Sequence, residues 1–520
     1  MQLVFSAQPV AELLTAAAVA GMSADEQAKA MCYAAAFYGN VGNYKSFGDT
    51  KFVPDIAPAR LELLLLAGGA DEAAVAALWS ECRERMYSLP PRQRQIGLGA
   101  ANGVSTYFSS NCEEADADMA GKVTPPPQLP AAADCASGGA CDCCCCFLSP
   151  PILQQFLDSV GLSAYNTRLF KDEGGAYTVR LASATASSEG EDAVAAVCKV
   201  HSFEGKSFTV QRGDHSPLMA RVVAELKDAL PFCADETQSS MIAKYVESFE
   251  LGSIEEHKNA SRFWIRDKGP PVESYIGFIE SYRDPSGARG EWEGFVACVN
   301  REVSKKFGVL VDGSEEMLAL MPWPATFEKD KFLRPDFTSL DVLAFGSSGV
   351  PAGINIPNYD DIRQSEGFKN VSLGNVLAAS YGAGEKPVTF VKEQDQALFK
   401  ALKGEAFEVQ VGIHELLGHG SGRAFWQGTA DADALVADKV LNPLTQLPIT
   451  GPFYPTGSTW DSTFGKIAST YEECRAECSG LYLCLEQAVL TIFGHDEQPG
   501  ASGGVHDATY INWLLMVQAG

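Results

Sequence analysis

His414-Glu415-Leu416-Leu417-Gly418-His419 sets two imidazoles and a carboxylate within one short stretch of chain. In the common zinc-hydrolase pattern His-Glu-x-x-His, the histidines stand four apart and share one face of a helix. Here the interval is one residue longer. At about 100° per residue, the second ring is turned by roughly 140° from the first, too far for one face of a regular α-helix. Both rings can reach one metal ion only if the helix is widened locally, and a π-type turn is the expected device. Gly418 eases such a distortion, at some cost to helix stability. The stretch therefore predicts a helical metal site with a π-turn, and it demands a third ligand from elsewhere.

That ligand is sought in Tyr471-Glu472-Glu473-Cys474-Arg475-Ala476-Glu477, within a run from Ile467 to Gln487 that reads as a second helix. Catalytic zinc sites keep three protein ligands and leave a fourth position open. One carboxylate from this helix completes a His₂Glu set, and the others can orient the imidazoles by accepting their second ring N–H. Taken alone, the acidic run is a solvated helix face. Beside the five-spaced histidines it is a ligand set.

The two motifs resemble the signatures of the dipeptidyl peptidase III family of zinc aminopeptidases, His-Glu-Leu-Leu-Gly-His and Glu-Glu-Cys-Arg-Ala-Glu, and match both without substitution. The likeness extends through Asn43–Thr50, Leu162–Lys171, Val272–Val296, Trp323–Ser339 and Gly353–Val376, and covers most of the chain from about Tyr38 to Gly520. The resemblance implies one Zn²⁺ per chain held by His414, His419 and Glu473, with Glu472 and Glu477 behind the imidazoles. It implies Glu415 as general base and Tyr282 as the phenol that supports the oxyanion. Glu280, Asn355 and Asn358 would meet the substrate's free amino group. Glu293 would line the cleft, and the stretch from Gly349 to Asn355 would present a strand edge to the peptide. The implied function is release of dipeptides from the N-terminus of oligopeptides.

The same resemblance implies an α+β fold of two lobes separated by a cleft. A mixed lobe with a small β-core takes residues 1–300 and 339–384. A mostly helical lobe carrying the zinc takes 301–338 and 385–520. Family members continue beyond the counterpart of Gly520, so the resemblance also implies a missing C-terminal part that holds a further histidine and arginine.

Without the family, Tyr282 is equally a loop anchor, Asn355 and Asn358 are good turn residues beside Pro357, and Glu280 and Glu293 are two of 66 acidic residues. A non-catalytic peptide-binding scaffold and a zinc endopeptidase stay open as alternatives. The remaining histidines (His201, His215, His257, His495, His506) have no ligand spacing.

Composition narrows the partners. With 46% hydrophobic and 20% charged residues, the 520-residue chain is globular and long enough for more than one core. A net charge of −26 argues against nucleic acid or an anionic membrane as partner and suits peptides with a positive N-terminus. No run of 18 or more apolar residues suggests a membrane span. Met1–Met22 lacks a basic start and reads as a helix rather than a signal peptide. The expectation is a monomeric cytoplasmic protein with reduced, scattered cysteines. The Pro/Ala/Gly/Cys-rich stretch 113–151, with Cys135 and Cys141–Cys146, reads as a low-complexity insertion.

Coarse periodicity predicts helices through the first 110 residues, then strands at Tyr177–Leu181 and Ser207–Gln211. Further helices are expected at Ile242–Leu251 and Glu291–Phe307, with strand and turn signals around Leu340–Pro357 and Pro387–Phe390. Tyr510–Met516 reads as an apolar helix whose packing partners would lie beyond Gly520.

Overall fold

The computed structural model describes residues 7–46, 48–68, 71–99, 103–117, 152–382, 388–451, 453–495 and 506–519. The cysteine-rich run at 135–146 and Pro387 lie outside the described residues.

Helices open the chain at Ala7–Val19, Ala24–Gly39, Pro58–Ala67 and Glu72–Tyr87. The second is closed by a reciprocal cap in which Ser23 and Glu26 satisfy each other's backbone N–H. A small core around Leu61, Leu64 and Trp79 joins this segment.

Two sheets follow. Strands β1 (Thr167–Lys171), β2 (Tyr177–Ala182), β3 (Val200–Phe203) and β4 (Lys206–Asp214) pair in the order β1-β2-β4-β3. Along β4, Phe208 and Val210 point inward in a period of two, and they bury against Phe156 and Val179. The second sheet positions the site. It comprises β5 (Val272–Phe278), β6 (Trp292–Val299), β7 (Asp336–Gly346), β8 (Gly353–Ile356) and β9 (Lys369–Leu373), in the order β5-β6-β7-β9-β8. β8 is therefore an edge strand, paired on one side with β9 in the register Asn355↔Asn370.

Helices Glu236–Leu251 and Ile254–Trp264 cover this sheet through Tyr245, Phe249 and Trp264. The first starts where Asp235 accepts the Gln238 N–H and stops at Gly252, whose φ of 82° a side chain would resist. A separate core is helical. Helix Gln396–Ile413 buries Phe399, Ala406, Val409 and Ile413, a helical spacing, against Phe307, Leu310 and Leu483. Truncating Phe399, which is 3% exposed, costs about 3–5 kcal/mol by the usual scale for aromatic cavities. The mixed α+β composition expected from sequence is what the chain adopts.

Three local expectations need correction. Glu291–Phe307 is not one helix: β6 takes Trp292–Val299, and the helix runs Arg301–Asp312 from an Asn300 cap. Pairing on both sides, with β5 and with β7, outweighs any helical preference there. The helix expected over Ile467–Gln487 spans Ala468–Leu483, and a short one, Gln487–Ile492, follows. The Tyr510 helix, Asp507–Ala519, finds partners within the chain: Thr509 donates to the Cys484 carbonyl at 2.7 Å, and Tyr510 to Asp395 at 3.0 Å. Val388–Phe390 forms a turn. Among the described residues, no helix is long and apolar enough to cross a membrane.

Candidate metal centre and cleft

The helix Gln396–Ile413 runs straight into a π-helical turn, His414–Gly418. The His419 N–H reaches back five residues to the His414 carbonyl at 3.0 Å, the widened ring that the five-residue spacing required. The two imidazoles end up 4.8 Å apart, ring centre to ring centre.

Gly418 has a use beyond easing the turn. A Cβ there would meet the Cα and carbonyl oxygen of Ala476 at 2.8 Å, so the glycine lets helix Ala468–Leu483 press against the π-turn. That approach delivers Glu473. Its Oε2 lies 3.2 Å from His414 Nε2, and its Oε1 3.8 Å from His419 Nε2. The ligand atoms of His414, His419 and Glu473 all lie within 4.8 Å of one another. Two imidazole nitrogens and one carboxylate oxygen suit a divalent metal of borderline softness, and the three protein donors leave room for a fourth.

Each imidazole turns its other nitrogen to a carboxylate. His419 Nδ1 donates to Glu472 Oε1 at 3.0 Å, and His414 Nδ1 lies 3.8 Å from Glu477 Oε1. Burial opposes ionising Glu472, but His419 and Arg475 hold it well below the usual carboxylate range. Burial likewise opposes charging His414, and the Glu473 and Glu477 carboxylates overcome it, raising its pKa to about 10. In the same way Glu473, despite burial, is held down to about 2, with His414 the leading cause.

These carboxylates are themselves held, by residues that the spacing argument missed. Arg475 grips Glu472 with two nitrogens, at 2.6 and 2.9 Å, and reaches Ser421 and the His419 carbonyl. Gln410 donates to Glu477. Both carried a signal, because Gln410 precedes His414 by one helical turn and Arg475 follows Glu472 by three residues.

Glu415 is 6% exposed, and its Oε2 has no hydrogen-bond partner among the described residues. Burial raises its pKa. Its carboxylate lies so close to β8 that a Cβ on Gly353 would stand 2.6 Å from Oε1. Asn355 secures the same joint: its Nδ2 donates to the Glu415 carbonyl at 2.7 Å and also to Asn370, while its Oδ1 accepts from Arg363. The Asn355 amide, expected to meet a substrate amino group, is thus engaged in tying the edge strand to the π-turn.

A cavity of about 840 Å³ opens over these groups, lined by the β-sheet on one side and the metal helices on the other. All of the sequence-predicted residues Glu280, Tyr282, Glu293, Gly349, Asn355, Asn358, His414, Glu415, His419, Glu472, Glu473 and Glu477 line it. Tyr282 donates to Glu473 Oε1 at 2.5 Å, while 48% of the residue faces the opening. Burial and the adjacent carboxylates, Glu280 first, push its phenol well above its usual pKa. The Glu280 N–H donates to Glu293 Oε1 at 3.2 Å. Burial, then Glu473, Glu415 and Glu291, push the Glu280 carboxyl up to about 8. Burial and Glu280 push Glu293 well above the usual range. Gly349, at φ 108°, turns the chain between β7 and β8.

The sequence profile of peptidase family M49 matches residues 150–520. Human dipeptidyl peptidase 3 is 50% identical over 524 residues, an alignment that covers 99% of this chain and 66% of the human protein. The dipeptidyl peptidase 3 of Nematostella vectensis is 46% identical over 533 residues, covering 100% and 67%. Among solved structures, dipeptidyl-peptidase III from Corallococcus sp. strain EGB aligns at 16% identity with a TM-score of 0.46, covering 71% of this chain and 67% of that one. The chain thus spans 66% of the length of the human relative it matches.

Proposed function

The chain belongs to peptidase family M49, and from that footing we propose that it is a zinc-dependent exopeptidase releasing dipeptides from the N-terminus of oligopeptides. The observation that carries the reading is the convergence of His414, His419 and Glu473 across two helices, beside a buried glutamate with an oxygen that has no partner among the described residues. Zinc, when bound, polarises the scissile carbonyl and makes a water molecule acidic enough to attack at neutral pH.

The protein's own groups do the rest. Glu415 Oε2 accepts the proton of the attacking water and passes it to the leaving amine, a role that a carboxyl with a pKa raised by burial suits. The Tyr282 hydroxyl, next to the metal set, donates to the oxygen that gains negative charge. Glu472 and Glu477 fix the imidazoles, and Arg475 and Gln410 fix the glutamates. The free edge of β8 binds extended peptide backbone. Glu280, Glu293 and Asn358 receive the ammonium group, and an extended dipeptide of about 7 Å sets the distance from there to the reacting carbonyl. Asn355 contributes by holding β8 and Glu415 together.

The test is hydrolysis by the zinc-loaded chain of a dipeptidyl-naphthylamide with and without an acetylated amino group. Dipeptide release from the free amine alone supports the reading. Equal hydrolysis of both substrates points to an endopeptidase, and binding without hydrolysis points to a scaffold.

A further inference from the structure

Lys329 lines the cleft with no hydrogen bond and no ion pair among the described residues. Burial makes its charge costly, Arg363 and Arg475 add to the cost, and the nearby Glu328 and Asp360 carboxylates offset it only in part. The other cations of this wall are committed. Arg475 is paired with Glu472, and Arg423 with Asp330 and Asp431. Arg363 bonds to the Asn355 and Pro357 carbonyls and stands over the Phe368 ring at 5.4 Å. The carboxylates on either side in sequence are taken, Glu328 by the Trp323 indole at 2.6 Å and the Gly422 N–H at 2.7 Å, and Asp330 by Arg423. A partly buried ammonium with no ion pair or hydrogen bond among the described residues, beside a guanidinium that meets carbonyls and an amide, marks a place for a ligand's negative charge.

The location says which ligand. The charged neighbours of Lys329 are Arg363, Glu328, Asp360 and Arg475, whereas those of Glu280 are Glu473, Glu415 and Glu291. Cations thus enter the surroundings of Lys329 and not those of Glu280, and Arg363, bonded to the Asn355 and Pro357 carbonyls, ties the lysine to the end of β8. Asp360 lies two residues after Asn358, which is proposed to hold the substrate's amino terminus. We propose that Lys329, backed by Arg363, is a specificity-determining residue that binds an acidic side chain in the N-terminal dipeptide of the substrate. The inference rests on the dipeptidyl peptidase reading and deepens it.

The experiment uses the zinc-loaded full chain and the Lys329→Gln and Lys329→Arg variants, with Ala-Ala-, Asp-Ala- and Ala-Asp-naphthylamide as substrates. Lys329→Gln is expected to lose about tenfold in kcat/KM, mainly through KM, on one of the two acidic substrates, the worth of one partly desolvated ion pair. Ala-Ala-naphthylamide should change less than twofold, and Lys329→Arg should restore the acidic preference. Equal losses on all three substrates, or no loss on either acidic one, overturn the inference. If the wild-type chain releases nothing from Ala-Ala-naphthylamide, the hydrolase reading has failed. Calorimetric binding of Asp-Ala-Ala-Ala and Ala-Asp-Ala-Ala to wild type and Lys329→Gln then decides the lysine's role alone: weaker binding of either peptide to the variant supports it, and equal affinities overturn it.

Discussion

Two of the buried glutamates, Glu273 and Glu415, are treated in opposite ways. Behind the second sheet, Glu273 is 1% exposed and fully satisfied: the Trp264 indole donates to Oε1 at 2.6 Å, and Lys369 to Oε2 at 2.6 Å. Lys369, itself 0% exposed, also meets the Asp267 carbonyl at 2.7 Å and stands 4.8 Å from the Trp264 ring centre. In the cleft, Glu415 is 6% exposed, and its Oε2 meets no donor among the described residues. Burial raises the pKa of both. The first carboxylate holds β5 to β9, so removing its partner harms folding. The second is held through its backbone carbonyl by Asn355, and its Oε2, with no partner among the described residues, is available for a proton. A satisfied buried charge serves the fold, and an unsatisfied one points to chemistry.

The contrast breaks most visibly at Glu415. Glu415→Gln is expected to lower turnover by about 10²–10⁴, the usual worth of a general base, while zinc content and melting temperature stay near wild type. A parallel loss of zinc would erase the distinction. Lys369→Met is the mirror case: stranding Glu273 should cost about 3–5 kcal/mol of folding stability by denaturant titration, with metal affinity unaltered. Tyr282→Phe sharpens the reading of the cleft, with an expected 10²–10³ drop in kcat, about 3–4 kcal/mol, and little change in KM. A smaller effect follows from Gln410→Ala, which frees Glu477 and should weaken zinc binding about 10- to 100-fold in competition with a chelator.

The smallest effect is in pH dependence. The folded-state pKa of Glu280 is raised from 4.5 to about 8, so the folded protein holds a proton that the unfolded chain releases. Its contribution to stability is full below pH 4.5 and is lost as pH rises through about 8. Glu280→Gln should therefore flatten the decline of melting temperature across that window. An unchanged slope would show that Glu280 does not titrate there.

The sequence revealed the site better than the fold around it. The spacing of His414 and His419 demanded a π-turn because helix geometry is local, and the turn is present. A carboxylate ligand from the Glu472–Glu477 run was legible because a metal constrains the types of side chain around it, and the choice of Glu473 came from the family resemblance. Gln410 and Arg475 were one helical turn from marked residues but carried no metal chemistry of their own. The role of Asn355 was hidden for another reason. It depends on the cross-strand register with Asn370 and on the approach of β8 to Glu415, contacts between distant parts of the chain. β6 was misread for the same cause, since its conformation is decided by β5 and β7 on either side. Lys329 stood in plain view among charged neighbours, and only its want of a partner singles it out.

X-ray absorption at the zinc edge tests the central claim most directly, because it reads the atoms around the metal. The account predicts one zinc per chain surrounded by nitrogen and oxygen at about 2.0–2.2 Å, with the bound metal lost in Glu473→Ala. Sulfur at about 2.3 Å, which Cys474 and Cys478 on the same helix could supply, or a spectrum unchanged in Glu473→Ala, would contradict it.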